Sequence, residues 1–83
     1  MFLNQKPGQS QTGIPTWTWP FNTRLTVSNA GENTGRVRFQ AGTSPAEEQI
    51  LAGKETEFYE RPFGGAYLTV TNIGSTTLTA MTN

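Results

Sequence analysis

The chain has 83 residues, with six basic and six acidic side chains and a formal net charge of zero. It contains no Cys, His or Asp, which excludes disulfides, thiolate metal sites and Ser–His–Asp or Cys–His catalysis, and leaves only Glu to build a metal centre. Proteins that bind nucleic acid or anionic membranes usually carry a basic excess, so we expect neither partner, and we expect no cofactor or metal.

The first segment, residues 1–15, combines Gln, Ser and Thr with two Gly and two Pro. This composition predicts an extended N-terminal arm outside the core. Residues 16–83 are then expected to form a single β domain. The N-terminus has one Lys and no apolar run of signal-peptide length, which favours a cytoplasmic or virion location.

The next segment reads TWTWPF over residues 16–21. Its aromatic residues, Trp17, Trp19 and Phe21, recur at every second position, which predicts a short strand with one aromatic face. Proline cannot donate a backbone hydrogen bond, so the Pro residues at 15 and 20 place this strand at a sheet edge.

One phrase occurs twice, 43 positions apart: LTVSNAGENT over residues 25–34 and LTVTNIGSTT over residues 68–77. Each is an alternating strand that runs into an Asn-x-Gly turn. They predict two hairpins, one formed by residues 24–28 with 36–40 and the other by 66–71 with 77–81. The alternation turns Leu25, Val27, Val37 and Phe39 of the first hairpin inward, and Leu68, Val70, Leu78 and Ala80 of the second.

The segment 41–53 carries the one helical signal of the chain. Ser44 is a good N-cap, Pro45 suits the first helical position and Glu47 completes a capping box. These residues predict at most one short helical turn, and the alternative is a plain loop before the next strand. That strand is predicted at residues 56–61. The fold class is therefore all-β, a small six-stranded antiparallel sandwich or barrel.

The aromatic residues of the TWTWPF segment are the best candidate site. If these side chains are buried, they fill the core or a subunit interface. If they are exposed, their flat faces could stack on sugar rings, or on nucleic-acid bases, for which the sequence gives less support. Arg24, Arg36 and Arg38 are expected together on the outer face of the first hairpin, either as a solvated surface or as a charged contact face that meets the acidic middle segment of another copy.

The sequence gives little support for a catalytic role. A Ser–Lys pair would need Lys6 or Lys54, which fall in the predicted arm and a predicted turn. Two of Glu55, Glu57 and Glu60 could form an acid–base pair, but a domain this small rarely builds the walled cleft that such a pair requires. We therefore expect that the protein is not an enzyme.

The phrases LTVSNAG and LTVTNIGSTTL resemble those of immunoglobulin-like β-sandwich modules in bacterial and phage proteins, and ILAGKETEF at residues 50–58 resembles a stretch that precedes a strand in them. The chain is also similar in general terms to small phage head-decoration proteins. The resemblance implies a non-enzymatic structural protein that self-associates or joins a larger assembly, such as a virion, through its arm and aromatic strand. The alternative is a carbohydrate-binding module that uses Trp17 and Trp19.

Overall fold

The computed structural model describes the backbone of residues 2–83 and the side chains of residues 4–83. Within that range it contains eight β-strands and no helix, so no helix that could cross a membrane. The all-β class is confirmed, with eight strands in place of the predicted six. The strands are β1 (Phe2–Gln5), β2 (Ser10–Ile14), β3 (Thr23–Asn29), β4 (Gly35–Ala41), β5 (Glu47–Leu51), β6 (Thr56–Arg61), β7 (Leu68–Asn72) and β8 (Leu78–Thr82).

The strands form two four-stranded antiparallel sheets. Sheet I has the order β1-β8-β3-β6, and sheet II has the order β2-β7-β4-β5. Successive strands alternate between the sheets except at β4–β5, so the chain winds around the sandwich. This is the arrangement of a jelly roll. The expected sandwich is therefore present, but its strand order is not that of an immunoglobulin-like module.

The core lies between the two sheets and comes mainly from alternate positions of the strands. In β3 and β4 every second residue is buried, as expected for strands with one solvated face. The ring of Phe39 lies 5.3 Å from that of Tyr59 and 6.4 Å, edge to face, from that of Phe63. The buried hydrophobic residues are Ile14, Leu25, Val27, Val37, Phe39, Ala41, Leu51, Tyr59, Leu68, Val70, Leu78 and Ala80.

The predicted N-terminal arm is wrong, because β1 and β2 belong to the two sheets. β1 pairs with β8, and β2 pairs with β7. The polar composition is compatible with strands because β2 exposes all its residues except Ile14, which is fully buried. Gln5 is buried as well. Its Nε2 donates a hydrogen bond to the carbonyl of Val70 at 2.7 Å. A polar side chain with such a bond can enter the interior.

The predicted helical turn at residues 41–53 is also wrong. The segment makes a tight turn, in which the Ser44 amide donates to the Ala41 carbonyl, and then forms β5. β5 pairs with β4 over five residue pairs, from Gly35–Leu51 to Phe39–Glu47. A helix this short is marginal in water, so pairing along an existing strand outweighs the local capping signal.

The two predicted hairpins do not form, because β3 and β4 lie in different sheets, as do β7 and β8. Instead β3 pairs with β8, and β7 pairs with β4. The first strand of each repeated phrase therefore pairs with the strand that follows the other copy. The Asn-x-Gly turns carry the chain from one sheet to the other.

The registers place the loops at two opposite ends of the sandwich. The asparagine end holds residues 6–9, 30–34, 52–55 and 73–77, and includes the Asn-x-Gly turns. The aromatic end holds residues 15–22, 42–46 and 62–67 together with the C-terminus. The aromatic end carries the candidate site.

Candidate interaction surface

Residues 15–22, here called the aromatic loop, connect β2 to β3 and do not form the predicted edge strand. The loop has to carry the chain from sheet II to sheet I, and it does so with a turn in which the Phe21 amide donates to the Thr18 carbonyl at 2.9 Å. Prolines at 15 and 20 remove two backbone donors from this short segment. A continuous strand is therefore not formed, although three aromatic residues recur at every second position.

The aromatic loop is attached to the sandwich by hydrogen bonds at its base. The Trp17 amide donates to Oγ1 of the buried Thr23 at 2.8 Å, and the Trp17 carbonyl accepts from the Gly65 amide at 2.9 Å. Oγ1 of Thr16 donates to the Ala66 carbonyl at 2.6 Å. These bonds join the loop to β3 and to residues 62–67, so the aromatic side chains project from a fixed base.

Gly65 permits this close approach. Its φ is +79°, and a Cβ there would lie 2.9 Å from Cγ2 of Thr18. Both the left-handed backbone and the lack of space favour glycine. The PFGG sequence of residues 62–65, which contains Gly65, thus has a structural role beneath the aromatic loop.

All three predicted aromatic residues are exposed. The exposed fraction is 56% for Trp17, 84% for Trp19 and 63% for Phe21. These three side chains are therefore not part of the hydrophobic core. Exposed large apolar side chains are a common feature of interaction surfaces, so these three residues remain the candidate site.

Two shallow cavities flank Trp17. One, of about 340 Å³, is lined by Pro15, Thr16, Trp17, Thr23, Thr82 and Asn83. The other, of about 430 Å³, is lined by Trp17, Phe21, Asn22 and Glu60. One indole ring therefore stands beside both cavities, with amide, hydroxyl and carboxylate groups around it.

The predicted charged face is divided between the two sheets. Arg36 and Arg38 lie together on the outer side of sheet II, where both pair with Glu48 at 3.2 and 2.7 Å. Hydrogen bonding from Arg38, and then its charge, lowers the pKa of the Glu48 carboxyl. Arg24 lies instead on the outer side of sheet I, 3.6 Å from Glu60. The structure thus brings Arg36 and Arg38 together and separates Arg24 from them.

An ion pair that the sequence did not indicate joins the two sheets. The guanidinium of Arg61 donates to both carboxylate oxygens of Glu47, at 3.3 and 3.2 Å. Arg61 ends the edge strand β6 of sheet I, and Glu47 begins the edge strand β5 of sheet II. No local pattern links residues 14 positions apart on different sheets, so only the fold reveals the pair.

The described residues offer no metal centre, since residues 2–83 contain no group of three or more acidic side chains placed to hold an ion. The space between the sheets is occupied by the hydrophobic core. The groups that line the cavities beside Trp17 can make apolar contacts, stack on rings and form hydrogen bonds.

The model of a family of unknown function, DUF8244, matches residues 3–83. The chain belongs to this family. Two uncharacterised proteins of Dictyostelium discoideum are 54% and 52% identical to this DUF8244 chain over 77 residues, which are 93% of the chain and 90% of each relative. The similarity extends over nearly the whole length of both relatives.

Solved structures resemble the DUF8244 chain in fold. The capsular polysaccharide assembling protein CapF of Staphylococcus aureus superposes with a TM-score of 0.54 at 18% identity, over 98% of this chain and 21% of CapF. The Drosophila melanogaster CENP-C cupin domain superposes with a TM-score of 0.50 at 14% identity, over 99% of this chain and 58% of the other. CENP-C has also been solved bound to CAL1.

The DUF8244 chain thus spans about a fifth of CapF and less than two thirds of the CENP-C chain. At these identities the likeness shows the fold alone, an all-β jelly roll. Neither structural neighbour is a phage protein, so the comparisons support the small all-β fold but not the likeness to phage head-decoration proteins. One fold commonly supports several unrelated functions, with and without catalysis, so the fold does not decide between them.

Proposed function

We propose that this DUF8244 protein is a non-enzymatic structural protein that self-associates through its aromatic loop. The observation that carries the proposal is the exposure of Trp17, Trp19 and Phe21 on a loop that is hydrogen-bonded to its neighbours. A Trp or Phe side chain can bury about 150–250 Å². At about 25 cal/mol per Å² of apolar surface, covering three partly exposed rings contributes several kcal/mol to association.

The residue types at the aromatic end support a binding role without catalysis. The chain lacks Cys, His and Asp, and Glu60 is the one acidic residue that lines the cavities beside Trp17. A single exposed carboxylate does not make an acid–base pair. The relatives and structural neighbours described above are not phage proteins, so the proposal does not include the virion that the resemblance implied.

The solution mass of the chain tests this proposal. Sedimentation velocity over a range of concentrations should show species heavier than one chain, and Trp19→Ala should lower the average mass. Ile50→Ala is the matched control, because Ile50 is also exposed but lies on β5, away from the aromatic end. A wild-type chain that stays monomeric, or equal effects of the two substitutions, would contradict self-association through the loop.

The two cavities beside Trp17 favour a second candidate, a carbohydrate-binding module. Sugar rings stack on indole faces. The amide of Asn22 can donate hydrogen bonds to sugar hydroxyl groups or accept them, and the carboxylate of Glu60 can accept them. Both polar residues line the larger cavity with Trp17.

A fluorescence titration separates this candidate from self-association. The chain has two Trp residues, so Trp19→Phe leaves Trp17 as the one indole reporter. Oligosaccharides of glucose, mannose and galactose are added in turn to this variant. Saturable fluorescence change that is lost in Asn22→Ala with Glu60→Gln would support glycan binding. No saturable change with any of the three would reject it for these sugars.

A further inference from the structure

The outer side of sheet I, a surface distinct from the aromatic loop, has a layered pattern of side chains. Strand registers place Thr26 opposite Phe58 on one side and opposite Met81 on the other. Phe58 is 62% exposed, and Met81 is also exposed. In β1, Phe2 lies opposite Met81 by register. An apolar row, defined here as Phe58, Thr26 and Met81, therefore crosses the middle of this surface.

The apolar row is flanked by two polar rows of different kinds. On the side of the aromatic end, Arg24 lies opposite Glu60, and the Arg24 guanidinium also lies 5.8 Å from the Phe58 ring centroid. On the side of the asparagine end, Ser28 lies opposite Thr56, with 2.8 Å between their hydroxyl oxygens, and also opposite Thr79. The surface thus has a charged row, an apolar row and a hydroxyl row, in that order.

We infer that a second copy of the chain docks on this surface, related by a twofold axis that runs along the apolar row. Such an axis places each apolar row on the other, so that Phe58 contacts Phe58 of the second copy. It also places the charged row of each copy over the hydroxyl row of the other. Like charges do not meet, and the hydroxyls can hydrogen-bond to the Arg24 guanidinium and the Glu60 carboxylate.

The pattern is self-complementary, which is what an interface between identical copies requires. A surface with its charged row in the centre would bring like charges together across the axis. Packed sheets stay within about 30° of alignment, so the apolar rows remain in contact along their length. Four strands about 4.8 Å apart give a small face, at the low end of interface sizes. The dimer is therefore weak, and covalent capture is a suitable measurement.

This inference goes beyond the proposed function because it uses a different surface. The aromatic loop projects from one end of the sandwich, whereas the apolar row lies on the broad side of sheet I. A chain with one interface of each kind can build an extended array, since each dimer offers two aromatic ends for further contacts.

A single engineered cysteine tests the dimer. The chain has no Cys, so Thr26→Cys provides one unique thiol next to the twofold axis. Packed sheets lie about 10 Å apart, which a short bismaleimide cross-linker can span. We expect Thr26→Cys to yield cross-linked dimer at high protein concentration. Thr71→Cys is the matched control, a half-buried Thr on a central strand of sheet II, and should yield none above the level of random collision.

Substitutions at the apolar row provide the second arm of the experiment. Phe58→Glu in the Thr26→Cys background places two carboxylates in contact across the axis and should reduce the cross-linked fraction at least about tenfold. Phe58→Leu should preserve cross-linking, and circular dichroism verifies that both variants are folded. Absence of cross-linking in Thr26→Cys, equal cross-linking at Thr71→Cys, or no effect of Phe58→Glu would overturn the inference.

Trp19→Ala in the Thr26→Cys background distinguishes the two proposals. Cross-linking that persists while the average mass falls supports both interfaces. Loss of cross-linking in this variant would mean that the aromatic loop, and not sheet I, brings the cysteines together, which overturns the dimer. Cross-linking with no change in mass would contradict the aromatic loop and leave the sheet I dimer supported.

Discussion

Oγ1 of Thr76 donates a hydrogen bond to Oδ1 of Asn29 at 2.9 Å, and this contact links the two copies of the repeated phrase. The same Asn29 oxygen accepts from the Gly31 amide at 3.0 Å. In the second copy, Oδ1 of Asn72 accepts from the Gly74 amide at 3.1 Å. Each asparagine thus closes its own turn through an Asx-type bond. The contact with Thr76 further joins the turns to each other at the asparagine end.

We predict that Asn29→Ala strongly destabilises the protein. Nδ2 of Asn29 donates to the carbonyls of Asn33 at 2.7 Å and Ala52 at 3.1 Å, and the residue is buried. The substitution leaves these part-buried carbonyls without a donor and the buried Thr76 hydroxyl without its acceptor, so we expect the free energy of unfolding to fall by about 2–4 kcal/mol. Urea denaturation measures this free energy. Asn22→Ala, at an exposed position, is the control and should change the free energy of unfolding by less than about 0.5 kcal/mol. If both variants lose similar amounts of stability, the role of Asn29 is refuted.

Two isoleucines test whether the N-terminal strands belong to the core. Ile14, at the end of β2, is 0% exposed, whereas Ile50 on β5 is 66% exposed. Ile14→Ala should lower the free energy of unfolding by about 2–5 kcal/mol, because it leaves a cavity between the sheets. Ile50→Ala should have little effect. Deletion of residues 1–15 should abolish the folded state in circular dichroism, whereas a folded truncated chain would show that β1 and β2 are dispensable.

Tyr59 makes the stability sensitive to alkaline pH. Burial, with added effects of the Glu57 and Glu55 charges, raises the pKa of its hydroxyl above the ordinary value of 10.0. A raised pKa contributes stability that is complete below pH 10.0 and is lost as the pH rises through the folded-state value. Wild type should therefore lose more stability than Tyr59→Phe between pH 9 and about 11.5, measured by urea denaturation. Tyr67→Phe, a substitution at an exposed position, is the control and should lose as much stability as wild type. If Tyr59→Phe also loses as much stability as wild type, Tyr59 is not the source of the alkaline pH dependence.

Glu48 has the opposite dependence, at acidic pH. Its pKa lies below the ordinary value of 4.5 because of the hydrogen bond and charge of Arg38. The carboxylate therefore contributes stability above pH 4.5 that is lost as the pH falls through the lower, folded-state value. Thermal unfolding should show Glu48→Gln below wild type at neutral pH, with the gap closing in acid. Because the pair is exposed, 1 M salt should also narrow the gap; a gap unaffected by both pH and salt would have another cause.

The all-β class and much of the core could be predicted from local sequence. Alternation at period two identified Leu25, Val27, Val37 and Phe39 as inward-facing, and all four are buried. This succeeds because a strand with one solvated face repeats its pattern within a few residues. The short segments FLNQ of β1 and SQTGI of β2 carry no such pattern, so their place in the sheets could not be predicted.

Strand pairing and the site depend on contacts between distant residues. Adjacent strands with a turn between them predict a hairpin, but here the Asn-x-Gly turns change sheets, and the partner of β3 is β8. Likewise, the spacing of Trp17, Trp19 and Phe21 indicated a shared face but could not show whether another element covers it. Their exposure depends on how residues 62–67 hold the loop, which only the fold determines.

The position of β1 determines the order in which the sheets can be completed. Its neighbour in sheet I is β8 (residues 78–82), which is synthesised after the other seven strands. Until β8 has been synthesised, β1 therefore has no native hydrogen-bonding partner. Loop-closure entropy also makes such long-range pairing slow. Sheet I can be completed only after β8 is available, and until then β1 can pair with any other chain that presents an open edge.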